Sequence, residues 1–265
     1  MHPACLLALW TGVSWTAFGT ALALYWIRMF GVTGGYHRYF AHASFKTSRW
    51  FQFALAWLAG SSLQKGALWW ASHHRHHHAH SDEPDDIHSP VQRGFFWSHM
   101  GWILCAKYED TRWHLIPQFS KFPELVWLNK YHAIPGLALA AQVTLAGALL
   151  ERYAPGLGTN ASQMFIWGFL ISTVALYHGT FTINSLSHVY GWQRYDTGDD
   201  SRNNWLLALV TMGEGWHNNH HYYPSSARMG FRWWEIDATH YILRALAAAG
   251  MVWDLKEPPA RVLGK

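Results

Sequence analysis

Two apolar stretches decide how this chain is read: AIPGLALAAQVTLAGALL at residues 133–150 and MFIWGFLISTVALYHGTFTI at residues 164–183. Each is close to the roughly 20 residues that a helix needs to cross a bilayer. The connection ERYAPGLGTNASQ is short, so the two predict a transmembrane hairpin. Working outward to the N-terminus, Pro3 to Val32 is apolar apart from Thr, Ser and Arg28. That run is too long for one span and too short for two. We place a span at 14–34 and read 4–13 as the stub of an earlier, truncated one. The segment Phe51 to Trp70 is also apolar but carries Ser61, Ser62, Gln64 and Lys65, which predicts a helix at the interface rather than a span.

The composition agrees with a membrane protein. Of 265 residues, 50% are hydrophobic, 14% are charged and 18 are Trp, which excludes a disordered chain or a disulfide scaffold. The mean hydropathy of -0.08 understates this, because hydropathy scales penalise the abundant His, Trp and Tyr. Cys5 and Cys105 lie far apart in apolar surroundings and are expected to remain thiols. The net charge of +4 is not gathered into one stripe, so nucleic acid is not an expected partner. Ten Lys and Arg fall between Tyr36 and His132, and eight follow Ile183. By the positive-inside rule both polar regions face the cytoplasm. The expected fold is therefore all-α. It is a single integral membrane domain over residues 1–265, a bundle of about four transmembrane helices with the first truncated. Residues 36–132 and 184–265 form a cytoplasmic helical cap.

The 19 histidines concentrate in that cap. HRYFAH holds His37 and His42, HHRHHHAH spans His73 to His80, and HNNHH holds His217, His220 and His221. Spacings of three and four put His74, His77 and His78 on one helical face, where imidazoles can converge on an ion, and His217, His220 and His221 repeat the pattern. Imidazole suits iron, zinc, copper or nickel. Eight histidines exceed the four to six ligands of one ion, so two metals are the economical reading. The isolated His2, His114, His132 and His240 are expected to be ordinary surface or core groups.

In GGYHRYFAH, WWASHHRHHHAHSDEPDDIHSP, GFFWSHMGW, NSLSHVYG and GEGWHNNHHYYP, taken in order, the chain resembles the membrane fatty acyl desaturases of the acyl-CoA (stearoyl-CoA, delta-9) type, bacterial-like, from about Ser14 onward. The resemblance implies a ninth histidine ligand, His188, with Asn184 holding a metal-bound water. It thus implies the ligand set His37, His42, His74, His77, His78, His188, His217, His220 and His221, and a cap that holds a diiron site. Iron supports removal of hydrogen from an unactivated methylene, which redox-inert zinc cannot do. Dioxygen is the implied co-substrate, and two of its four electrons come from the acyl chain. The other two are expected from a separate ferredoxin, rubredoxin or b-type cytochrome with its reductase. The implied setting is a bacterial cytoplasmic membrane, with the active site on the cytoplasmic side. His73, His76 and His80 are expected to support the ligands or to be solvated, His88 and His99 to support them, and the acidic run Asp82 to Asp86 to orient them or cap a helix.

An alkyl chain offers no polar handle, so position along it must be measured by a closed apolar tunnel. By resemblance, Gln64, Trp70 and Thr180 surround its bend, with Phe181 where the family has Trp, and Tyr25 and Met29 form its floor. Arg75 and Lys107 match basic positions that contact CoA, while Ala106 replaces a second basic residue. An acyl-lipid or acyl-carrier substrate, or a histidine-box hydroxylase or alkane monooxygenase, is the alternative. A metal transporter would need ionisable groups along its spans. Only His178 meets that need among the Asp, Glu, Lys, Arg and His of the last two.

Overall fold

The computed structural model describes residues 1–263. Almost every element is helical, and the described sheet is one short antiparallel pair, Lys46–Thr47 with Val252–Trp253. Helix α1, Trp15–Phe30, starts at Ser14, whose hydroxyl accepts from the Ala17 amide. It runs on without a break as a π-helix, Gly31–Ala41. Helix α2 is Arg49–Gly60 and α3 is Ala67–Ala79. Helix α4, Ile134–Tyr153, and the composite α5, Ala161–His188, are the two helices long and apolar enough to cross a membrane. In the C-terminal cap, α6 is Trp205–Val210, α7 is His217–Tyr222 and α8 is Ala238–Ala248.

The expected hairpin is present, and α5 continues beyond the apolar stretch to carry His188 into the cap. The expectation of about four spans is not reproduced in full. Residues His2–Leu7 form a 3-10 helix and Ala8–Thr11 one α turn, packed along α5. Gln163 and Trp167 of α5 donate to the carbonyls of Thr11 and Gly12, which fixes this stub against the hairpin.

The segment 51–70 also departs from expectation. It is not one interfacial helix but the end of α2, a break at Ser61–Gly66 and the start of α3. Leu63 and Lys65 adopt positive φ in the break, and Leu63 packs against Gly136 of α4, where an added Cβ would lie 2.3 Å from it. Helix α2 buries Leu55, Ala56 and Ala59 against the π-helical part of α1. There Gly31 and Gly35 leave room for the backbone of Leu55 and Ala59. Apolar runs of this length serve helix packing as well as membranes, which hydropathy alone does not distinguish. Cys5 and Cys105 are free thiols, as expected.

Candidate metal centre

His37 and His42 are five residues apart, a spacing that an ordinary α-helix turns to different faces. The π-helix resolves this, because its hydrogen bonds run from i+5 to i. The His42 amide donates to the His37 carbonyl at 3.1 Å, and the two rings lie 4.8 Å apart. From α3, His74 and His78 turn to the same place, and His220 of α7 completes a group of five with His37 and His42. A second group of four consists of His77, His188, His217 and His221. The boxes therefore do not each serve one ion, as helical spacing suggested. Residues four apart stay together, while His77 and His220 cross to the other group.

The nitrogen spacing fits metal ions. Nε2 atoms approach at 3.0 Å for His37 and His220, 2.9 Å for His42 and His74, 3.1 Å for His74 and His78, and 3.0 Å for His188 and His217. Adjacent ligands about 2.1 Å from one ion, at right angles, are roughly 3 Å apart. Four Nδ1 atoms are held from behind by carboxylates: His37 by Glu214, His77 by Asp86, His188 by Asp82 and His221 by Asp199. A carboxylate there keeps the proton on Nδ1 and turns the bare Nε2 lone pair inward. Nε2 of His77 and of His221 are buried without a partner among the described residues, which fits ligand atoms of a metal.

Electrostatics keep six of the nine rings in the ligating form. Burial, then the neighbouring imidazoles, push His42, His74, His78, His217 and His220 well below the ordinary histidine value. Burial takes His221 down to about 4 against the opposing pull of Asp199. Burial alone would raise Asp82, but the hydrogen bond and charge of His188, with Ser89, bring it to about 2. All six imidazoles are thus neutral near pH 7 and Asp82 is charged.

The acidic run supplies two of the carboxylates, whereas Glu214 and Asp199 were missed. Glu214 is three residues ahead of His217 inside GEGWHNNHH, a visible signal. Asp199 sits in an unpatterned loop and gives none. Buried Arg38 ties Glu214, at 3.1 Å, to Asp237, at 2.9 Å. At Gly213 φ is +118°, and a Cβ would meet Asp237 Oδ1 at 2.5 Å, so the turn before the third box suits glycine. Asn218 accepts from the amides of Arg194 and Tyr195, and Asn219 bonds Met229 and Glu235, which locks α7 in place.

The remaining histidines stand around the centre. His73 bonds the Trp69 carbonyl, His76 contacts Asp85 and Arg112, and His80 lies 3.4 Å from Glu83. His88 stacks 4.2 Å from His77 and groups with it and Asp86. His99 links Ser185 to His178.

A cavity beside both groups is lined by Met29, Trp70, Thr180, Asn184 and, from the two groups, His37, His74, His77 and His217. Trp70 stacks on His74, and Gln64 donates to Thr180 at 3.0 Å. Phe181 stacks on Tyr177 in an adjoining cavity. Tyr25 lines a separate groove with Phe18, Leu22 and Trp167, and donates to the Val210 carbonyl at 2.6 Å. A Cβ at Gly179 would fall 2.7 Å from the Tyr25 hydroxyl and 2.9 Å from Met29, so the absence of a side chain there makes room for both. Lys107 is exposed, with its ammonium over the Tyr108 ring. Arg75 differs from expectation: its guanidinium donates to the carbonyls of Phe40, Ala41 and Leu115. That arrangement staples α3 to the end of the π-helix.

A mostly helical scaffold with two clusters of imidazoles beside a cavity defines a candidate histidine metal centre. The fatty acid desaturase family model matches residues 13–255, and the chain belongs to that family. It is 37% identical to an acyl-CoA 5-desaturase of Anemone leveillei, over 97% of this chain and 77% of that protein. It is 34% identical to an sn-2 palmitoyl-lipid 9-desaturase of Nostoc, over 97% and 87%. With an sn-1 stearoyl-lipid 9-desaturase of Anabaena variabilis it shares 37% identity, over 92% and 85%.

Proposed function

We propose that this chain is a dioxygen-dependent fatty acyl desaturase whose nine histidines hold two iron ions. The observation that carries the reading is the division of nine histidines into groups of five and four, of which His37 and His74 from one and His77 and His217 from the other line a shared cavity. Iron with dioxygen and two electrons from a separate donor supplies the oxidation; the chain's own residues decide where it acts. Glu214, Asp82, Asp86 and Asp199 fix the imidazole tautomers. Asn184 lines the cavity shared by both groups, where its carboxamide would hold a water for a bound ion. Gln64, Thr180 and Trp70 bend the alkyl chain past the centre, and Met29, backed by Tyr25, stops its methyl end. Closure by apolar walls excludes bulk water from the reacting methylene.

The same reading places α1, α4, α5 and the N-terminal stub in a membrane, with the histidines on the cytoplasmic side. Trp15, Phe18, Leu22 and Ile27 are exposed along α1, as lipid-facing residues would be. The relatives' names span desaturation at carbons five, seven and nine, so the depth of the cavity sets the position, with nine the expectation.

Metal analysis tests the centre. Purified protein reconstituted with ferrous iron is expected to hold two irons per chain. His220→Ala should lower that number and abolish desaturation, since it removes a ligand of the group of five. Full activity in that variant would overturn the two-iron assignment.

A further inference from the structure

Arg28 lies on α1, in the part of the molecule we place in the membrane, and is only 1% exposed. An ionisable group at that depth is expensive, and where one is kept it marks a function. No Asp or Glu occurs in α1 or α5, and the four oxygens to which Arg28 donates are all neutral. Its Nε donates to the Leu24 carbonyl at 3.1 Å, one turn back, so the side chain points down α1, away from the cap. One terminal nitrogen donates to Thr173 Oγ1 at 2.7 Å and to the Ser61 carbonyl at 3.4 Å, the other to Ser172 Oγ at 2.5 Å. The Ser172 hydroxyl itself donates to the Gly168 carbonyl, which leaves its lone pairs for the guanidinium. Helix α1, helix α5 and the break after α2 thus meet in one polar layer.

That layer lies below the cavity beside the histidines. Down one face of α5, at helical intervals, Asn184 and Thr180 line the cavity, Leu176 is fully buried in a cluster with Met29 and Val32, and Thr173 binds Arg28. From Thr180 to Thr173 the drop is about 10 Å at the usual rise of a helix. On the α1 side the cavity wall is Met29, the neighbour of Arg28 in sequence. The descending order is therefore open cavity, an apolar plug of Met29 and Leu176, then the guanidinium with its hydroxyls. An alkyl chain that passed the plug would meet a charge to which it can offer no hydrogen bond. Parting Arg28 from Ser172 and Thr173 would leave that charge without partners in a dry site, and burying one more methylene does not offset such a loss.

We infer that Arg28, with Ser172 and Thr173, is a second, polar stop beneath Met29 that sets the longest alkyl chain the cavity can be made to accept. Met29 fixes the working limit, and Arg28 fixes the limit that remains once residue 29 is small. This assignment rests on the desaturase reading and concerns the methyl end of its substrate.

Desaturase-deficient cells that express each variant and are fed saturated fatty acids of stepwise length test it, read as the ratio of unsaturated product to substrate at each length. Met29→Ala should move the limit to longer chains, and product should then fall roughly tenfold or more per added methylene once the chain reaches the polar layer. Combining Met29→Ala with Arg28→Met should remove that fall. The same limit in the double variant as in Met29→Ala, in protein that holds two irons, would overturn the inference. A longer limit from Arg28→Met alone would also overturn it, because Arg28 would then act as a clamp on α1 and not as a stop below Met29. Should the double variant fail to fold, Arg28→Lys in the Met29→Ala background keeps a cation in the layer. The limit of Met29→Ala is expected to hold there, and a longer one would overturn the role of the charge. No product of any length from the unaltered chain would instead contradict the desaturase reading itself.

Discussion

A histidine is oriented for ligation when a partner on one ring nitrogen fixes the proton there. Four carboxylates do so here, and Asp199 is informative because it touches His221 from a loop outside the histidine boxes. Burial would raise the Asp199 carboxyl, yet the His221, Ser201 and Thr197 contacts hold it well below the usual carboxylate range. Asp199→Asn keeps the shape but removes the charge that orders His221. Loss of such a partner weakens metal affinity about 10–100-fold. Metal titration of this variant should show one iron retained in the group of five and one bound weakly, and two tightly bound irons would contradict the role given to Asp199.

At the scale of elements, the hairpin, the helical cap and eight of the nine grouped histidines were legible from apolar length and histidine spacing, which are local signals, while His188 entered only through the family resemblance. What was not legible depended on how elements meet. The π-helical winding of Gly31–Ala41 leaves no hydropathy trace, yet it brings His37 and His42 together. Likewise, nothing in HHRHHHAH announces that His77 turns away from His74 and His78. Arg75 shows the limit of carrying over a role by position: the three backbone carbonyls it meets come from elements that the sequence does not place side by side. Arg75→Lys keeps the charge but cannot span three carbonyls. It should cost about 2 kcal/mol of stability, the usual value of a charge-assisted hydrogen bond. Thermal unfolding should register that loss while KM for the acyl substrate stays unchanged, whereas a raised KM with unaltered stability would return Arg75 to the head group.

For the whole molecule, the metal-free centre carries a pH liability. Burial holds His221 near 4 and His88 near 3, and the unfolded chain takes up protons near 6.5. As pH falls below 6.5 the unfolded state binds more protons than the native state, so stability declines, and the decline continues toward the folded values. Above 6.5 these groups are neutral in both states and contribute no slope. The melting temperature of metal-free protein in detergent should therefore fall between pH 6.5 and 4. Iron occupying the nitrogens should shift that fall to lower pH, because binding to the native state alone adds stability. A flat profile for metal-free protein would contradict the buried, neutral histidines.

All of this serves one claim, that the two clusters remove hydrogen from an alkyl chain held in the adjoining cavity. The most direct measurement is gas chromatography with mass spectrometry of fatty acids from a desaturase-deficient host expressing this chain, with double bonds located by derivatisation. The account predicts a new monounsaturated acid with its double bond at one position. A hydroxylated acid in its place, with no new double bond, would contradict it.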